Sequence, residues 1–295
     1  MNSHIGLIAS YSMRFAMRTG GGVVFILILL SVGFGLAYIF VSPVESLMKS
    51  SDFDPVEVYK SISTSDSVTG AIGWVTGTTD DQTAYWVKEK PALLSVILLS
   101  LLIFIPYTTC LGAFNQTSGD IGNRGFRFLL LRTERSNIFF GRFLGAMMFT
   151  IISCVFTVAI LALYLTFKIK IYSGLEIWTW SFHGLLAILV LSLPYAALCA
   201  WFSAMLDSAF GALAICLTVV GLSVLLLGLL QFLLSTQFDL NSGQLSWMQR
   251  ITPWGWKYEL LSGDYGVRSV AYLAMFGFTA LFLWLGLRTF EKRDL

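Results

Sequence analysis

The chain has 295 residues, is 56% hydrophobic and only 12% charged, and carries a formal net charge of +2 with a mean hydropathy of +0.76. A soluble domain has about 25% charged residues, so this composition excludes an ordinary soluble protein and indicates a polytopic membrane protein. The net charge does not indicate a nucleic-acid partner, because the basic residues sit beside apolar runs. Cys110, Cys154, Cys199 and Cys216 all fall within apolar runs and form no CxxC or Cys/His cluster. They therefore read as small buried hydrophobes, without a disulfide framework or a metal site.

Residues 1–20 alternate Ile5, Ile8, Tyr11, Phe15 and Met17 with Ser10, Ser12, Arg14 and Arg18. This is a weakly amphipathic pattern, expected as a helix lying along the inner membrane surface, with an unstructured tail as the alternative. The run Gly21–Val41 is too long for the apolar region of a signal peptide and reads as the first span. Residues 42–90 form the largest polar stretch, rich in Asp, Ser and Thr, with four lysines and no arginine. They read as an outside subdomain or docking surface, or else as a flexible connector. The second span is 91–114, with a kink expected at Pro106.

Residues 115–142, NQTSGDIGNRGFRFLLLRTERSNIFFGR, interrupt the apolar pattern and hold Arg124, Arg127, Arg132, Arg135 and Arg142. Positive charge near span ends marks the cytoplasmic side, which places this loop inside. Such a loop either receives force from a soluble partner or serves only as a topology signal. The third span, 143–167, follows Gly141-x-x-x-Gly145, a spacing that lets helices approach closely. A short outside turn carries Trp178 and Trp180 toward the fourth span, 182–206, with a second kink expected at Pro194. The fifth span is 210–234. Residues 235–269 gather Trp247, Trp254, Trp256 and Tyr258 around Pro253, and are expected to form short helices dipping into the outer interface. The last span is 270–287, followed by a tail, 288–295, with Arg288, Lys292 and Arg293. The fold class is thus all-α with six transmembrane helices and both termini cytoplasmic. On this plan nine of eleven arginines lie inside, Arg250 and Arg268 being the exceptions.

No GxxxxGK[ST], HExxH or GxSxG motif occurs. No Asp, Glu, Lys or Arg stands in the middle of a span, whereas ion-driven carriers and intramembrane enzymes need polar groups at depth. If the protein moves a solute, its energy arrives from outside the chain.

The six-span plan behind a surface helix is similar to that of ABC-2 permeases, the membrane subunits of type 2 ABC exporters. RFLLLRTERSNIFFGRFLG resembles the family's "LL…P-x-S/T-R…GK-x-L" stretch, ITPWGWKYELLSGD its Pro- and aromatic-containing segment before the last helix, and FEKRDL its "F-x-x-R-D-L" ending. Here the usual proline is missing from Arg132–Arg135, Arg142 replaces a lysine, and Asp120 takes the place of an acidic residue before the leucine run. The resemblance covers most of the chain outside 42–90, and the long first outside loop fits the gliding-motility and copper-enzyme-maturation subgroup without singling it out. It implies a prokaryotic inner-membrane permease, not itself an enzyme, that dimerises and is driven by two separate ATP-binding-cassette ATPase subunits. ATP and Mg would belong to those subunits, with no cofactor or metal on this chain. The coupling helix would lie in 118–135, with Asp120, Arg124, Arg127, Arg132, Thr133, Glu134 and Arg135 at the ATPase contact and Arg14 and Arg18 on the interfacial helix. Glycines 33, 35, 211 and 221 point to the first and fifth spans as dimer contacts. The competing readings are a membrane scaffold that recruits partners without moving a solute, and an ion-coupled carrier.

Overall fold

The computed structural model of the chain describes residues 2–18, 20–48, 80–122, 129–168, 172–237 and 250–293, with 69, 70, 72, 73, 76 and 78. In chain order the helices are α1 (Asn2–Arg18), α2 (Gly20–Met48), α3 (Asp80–Ala84, continued by a wider π turn Tyr85–Glu89), α4 (Ala92–Ala113) and α5 (Ser118–Gly122). After them come α6 (Arg135–Lys168), α7 (Gly174–Met205), α8 (Ala209–Gln237) and α9 (Tyr265–Glu291). Two 3₁₀ turns, Pro253–Trp256 and Glu259–Leu261, lie between α8 and α9. There is no strand among the described residues, and six helices are long and apolar enough to cross a membrane: α2, α4, α6, α7, α8 and α9.

The outer surface confirms the membrane character. The apolar windows of α2, α8 and α9 are only 22%, 17% and 22% buried, and side chains such as Leu225, Leu226 and Leu273 face outward. Soluble monomers rarely expose an apolar patch larger than a few hundred Å², whereas lipid solvates such a surface.

Helix α7 is the hub, packing against α4, α6, α8 and α9. Both α4 and α7 run through Pro106 and Pro194. Helices α6 and α7 begin well ahead of their apolar runs. Helix α6 starts at Arg135, because Ile138 and Phe139 are fully buried and continue the core-facing stripe ahead of Phe143. Helix α7 starts at Gly174, because Ser173 and Glu176 close a reciprocal capping box that satisfies two free N–H groups. Trp178 and Trp180 therefore lie on a helix, and Trp180 Nε1 donates to Ser95 Oγ at 2.9 Å.

Helix α1 lies against the first half of α6 at Gly141 and Gly145. A Cβ built on Gly141 would meet Ile8 Cβ at 2.8 Å, and one on Gly145 would meet Ser12 Cβ at 2.5 Å and the Ala9 carbonyl at 2.8 Å. The small-xxx-small spacing thus serves a contact inside the chain. At the end of α9, backbone carbonyls accept from Arg135 at the start of α6. Helix α1 and the end of α9 consequently sit at the same end of the bundle, called here the terminal end.

This packing predicts an asymmetry between glycines. Gly145→Val forces α1 off α6 and destabilises the protein by about 1–3 kcal/mol, the usual cost of overpacking. Gly277→Val on α9, where nothing lies within 4 Å of the site, leaves stability unchanged. Melting of the two variants in one detergent distinguishes them, and equal melting would contradict the α1–α6 contact.

Candidate functional site

Polar groups that cross between helices gather at the terminal end. The chain leaves α4 at Ala113, and Gln116 Nε2 donates to the carbonyls of Ala113 and Ala196, each at 3.0 Å. At the start of α5, Ser203 Oγ from α7 accepts the N–H groups of Thr117 at 2.8 Å and Ser118 at 2.9 Å. These side chains satisfy helix-end groups that no helix partner reaches. Asp120 pairs with Arg142 of α6, and the Arg142 guanidinium also lies 5.8 Å from the centre of the Tyr11 ring.

Arg135 Nη1 donates to Glu291 O at 2.7 Å and Arg293 O at 2.6 Å, with Phe290 O at 3.4 Å. It is the cationic cap of the C-terminus of α9. Arg293 passes the arrangement on, donating to the Ala204 carbonyl at 2.7 Å and pairing with Asp207 in the α7–α8 turn. Two arginines thereby tie together the ends of α6, α7 and α9.

The turn before α6 projects from this tied surface. Leu129 O accepts from the N–H groups of Arg132 and Thr133, while Leu129 and Leu130 pack against the core. Leu131 is 83% exposed, and Arg132 and Glu134 are exposed beside it. Thr133 is half-buried, with a hydroxyl that meets no partner. Of the residues expected at a coupling contact, Arg132 and Glu134 face outward, whereas Asp120 and Arg135 hold partners within the chain. Ser118 is buried. Arg124 and Arg127 lie outside the described residues. Arg14 and Arg18 are exposed on α1. Sequence reasoning did not single out Leu131, whose signal was a third leucine where two suffice to anchor the turn.

The opposite end is built around aromatics. Trp86 Nε1 donates to Leu261 O at 2.9 Å and Gln82 Nε2 to Tyr258 O at 3.1 Å, so the end of the first polar stretch is fastened to the segment before α9. That segment reaches deep: the Trp254 ring lies 6.4 Å from that of Tyr107, which stands about 22 Å along α4 from Ala92 at 1.5 Å per residue. Lys257 is buried there, its ammonium 4.3 Å from the Trp254 and Tyr258 ring centres and 3.4 Å from the Trp254 carbonyl. Arg250 and Glu259 pair beside it. The spans carry no charge at mid-depth, yet this non-spanning segment brings a lysine into the bundle. A cavity of 510 Å³ lies nearby, its walls including Lys90, Trp180, His183 and Arg268. Cys110, Cys199 and Cys216 adjoin where α4, α7 and α8 meet. All four cysteines are free and buried, and no group of three or more His, Cys, Asp or Glu residues among the described residues is placed to hold a metal ion.

No protein-family model matches the chain, and no curated protein matches it.

The geometry predicts opposite behaviour for two neighbouring arginines. Arg135→Ala strips the cap from α9 and leaves carbonyls without their charged donor, at about 1–3 kcal/mol, lowering the melting temperature. Arg132→Ala removes an exposed side chain and shifts stability by less than about 0.5 kcal/mol. Melting curves that rank the two the other way would contradict the assignment of Arg135 as a cap.

Proposed function

We propose that the chain is the transmembrane permease subunit of an ATP-binding-cassette exporter of the ABC-2 type. It works as a dimer driven by separate ATPase subunits, with the terminal end facing the cytoplasm of a prokaryotic inner membrane. The observation that carries this reading is the exposed turn Leu131–Glu134. It presents one large apolar side chain followed by two exposed opposite charges, Arg132 and Glu134, and it leads directly into α6, which Arg135 fastens to α9. An exposed apolar side chain beside charged groups fits the apolar centre and polar rim of a protein interface, and a rigid mount lets a push on the turn move two spans together. ATP hydrolysis on the partner supplies the energy that this chain has no motif to generate.

The dimer places α8 against a second copy. Gly221 and Gly228 there face open space, and α8 is the least buried span. Small residues let backbones approach closely in lipid, where packing drives association. Gly33 contributes less, because Thr157 and Leu161 of α6 already occupy its surface at 3.2 and 3.3 Å.

The test is Leu131→Asp combined with Arg132→Glu, which alters the turn and leaves the Arg135 cap intact. Burying a charge against an apolar groove, and reversing a second one, costs roughly 2–5 kcal/mol of binding. The variant is expected to insert and melt as the wild type does while losing, by co-purification, the ATPase that the wild-type chain retains in gentle detergent. Recovery of that ATPase at wild-type levels would refute the coupling role and favour a scaffold that recruits partners elsewhere.

A further inference from the structure

We infer that the terminal end holds a binding site for a zwitterionic phosphoethanolamine headgroup, the polar end of a membrane lipid, in the cavity between α1, α4 and α6. The cavity measures 190 Å³, several times the roughly 30 Å³ that one water takes in the liquid. Ser12, Gln116 and Arg142 all line it. Each is at most 9% exposed, and each has one buried polar atom with no partner: Ser12 Oγ, Gln116 Oε1 and Arg142 Nε. Buried polar atoms in native proteins nearly always find a partner; these three have almost no accessible surface of their own but belong to residues that line one cavity, so small side-chain rotations toward it would bring all three to a polar occupant.

The donor and acceptor set defines its chemistry. Arg142 Nε–H only donates, and the other arm of the guanidinium is committed to Asp120. Gln116 Oε1 only accepts, because its amide nitrogen is already bound to two carbonyls. Ser12 does either. The occupant must offer an acceptor oxygen to Arg142 and an N–H or O–H to Gln116. Its net charge must be near zero, because Asp120 already neutralises Arg142, the one cation among the described residues of the wall, and a buried excess charge is expensive. A phosphate diester bearing a primary ammonium meets all three conditions.

The surroundings favour a lipid over a soluble phosphate ester. Leu7, Tyr11 and Phe15 are 68%, 61% and 48% exposed and form an i, i+4, i+8 stripe along the outer face of α1. Phe15 belongs to both the stripe and the cavity wall. Gly22 of α2 lines the cavity too, and the neighbouring Val23 and Val24 are half-exposed on a spanning helix. Acyl chains thus have an apolar surface that begins at the cavity itself.

The test uses the full-length chain in gentle detergent, stripped of endogenous lipid. It is titrated with dihexanoyl phosphatidylethanolamine, phosphatidylcholine and phosphatidylglycerol, and with soluble glycerophosphoethanolamine, counting bound ligand by native mass spectrometry. The ethanolamine lipid is expected to bind about tenfold tighter than the choline lipid, whose ammonium has no N–H for Gln116. The anionic glycerol lipid binds no better than the choline lipid, and the soluble ester binds more weakly than its lipid. Ser12→Ala removes one partner and Ala146→Leu fills the cavity without removing any; each weakens the ethanolamine lipid about tenfold. Equal binding of all three lipids, or a preference for ethanolamine that survives both substitutions, would mean that the cavity holds only water and would overturn the inference. Binding of the soluble ester as tight as that of the lipid would overturn the lipid as the source. ATPase capture does not enter any of these readouts.

Discussion

The terminal end of the bundle depends on the capping of α9 by Arg135. Helices that end in or near a membrane leave up to four carbonyls without partners, and water is scarce there. One guanidinium serves three carbonyls at this end, and Arg293 extends the same solution to α7 and the α7–α8 turn. The consequence is mechanical. The start of α6 and the end of α9 are linked by charge-assisted hydrogen bonds, which are about twice as strong as neutral ones. Because α9 packs closely on α7, the residue that follows the Leu131–Glu134 turn is tied to the hub of the bundle through α9.

The two ends of the bundle use different chemistry. At the terminal end, ion pairs and caps join helix ends, and the turn Leu131–Glu134 stays exposed among the described residues. At the opposite end, aromatic rings and indole N–H groups fasten the segment before α9 to the stretch before α4. The buried Lys257 faces two aromatic rings and no carboxylate. Burial lowers the Lys257 pKa to about 7, so the two ring faces offset only part of the cost of holding its charge there.

Much of the fold was legible in the sequence because a bilayer imposes a local rule: about 20 apolar residues make a span. All six spanning helices lie on the apolar runs, and Gly141-x-x-x-Gly145 marked a close helix approach. What the sequence concealed was nonlocal. The cap on α9 joins Arg135 to residues 155 to 158 positions later, so nothing near Arg135 distinguished it from the exposed Arg132. The depth of Trp254 was hidden for the same reason, since it is set by packing against Tyr107. One miss was local: Ser173-x-x-Glu176 is a capping-box signature that marks the start of α7, ahead of the tryptophans expected in a turn.

On the proposed function, Leu131 is the point where an ATPase would engage the chain. A photoreactive benzoylphenylalanine placed at position 131, with one at position 265 on the opposite end as control, tests this contact in intact membranes. The account predicts a cross-link from position 131 to a soluble nucleotide-binding subunit, with a yield that changes between nucleotide-free and ATP-bound membranes, and none to it from position 265. Cross-links from position 131 to lipid alone, or a capture pattern identical at both positions, would contradict it.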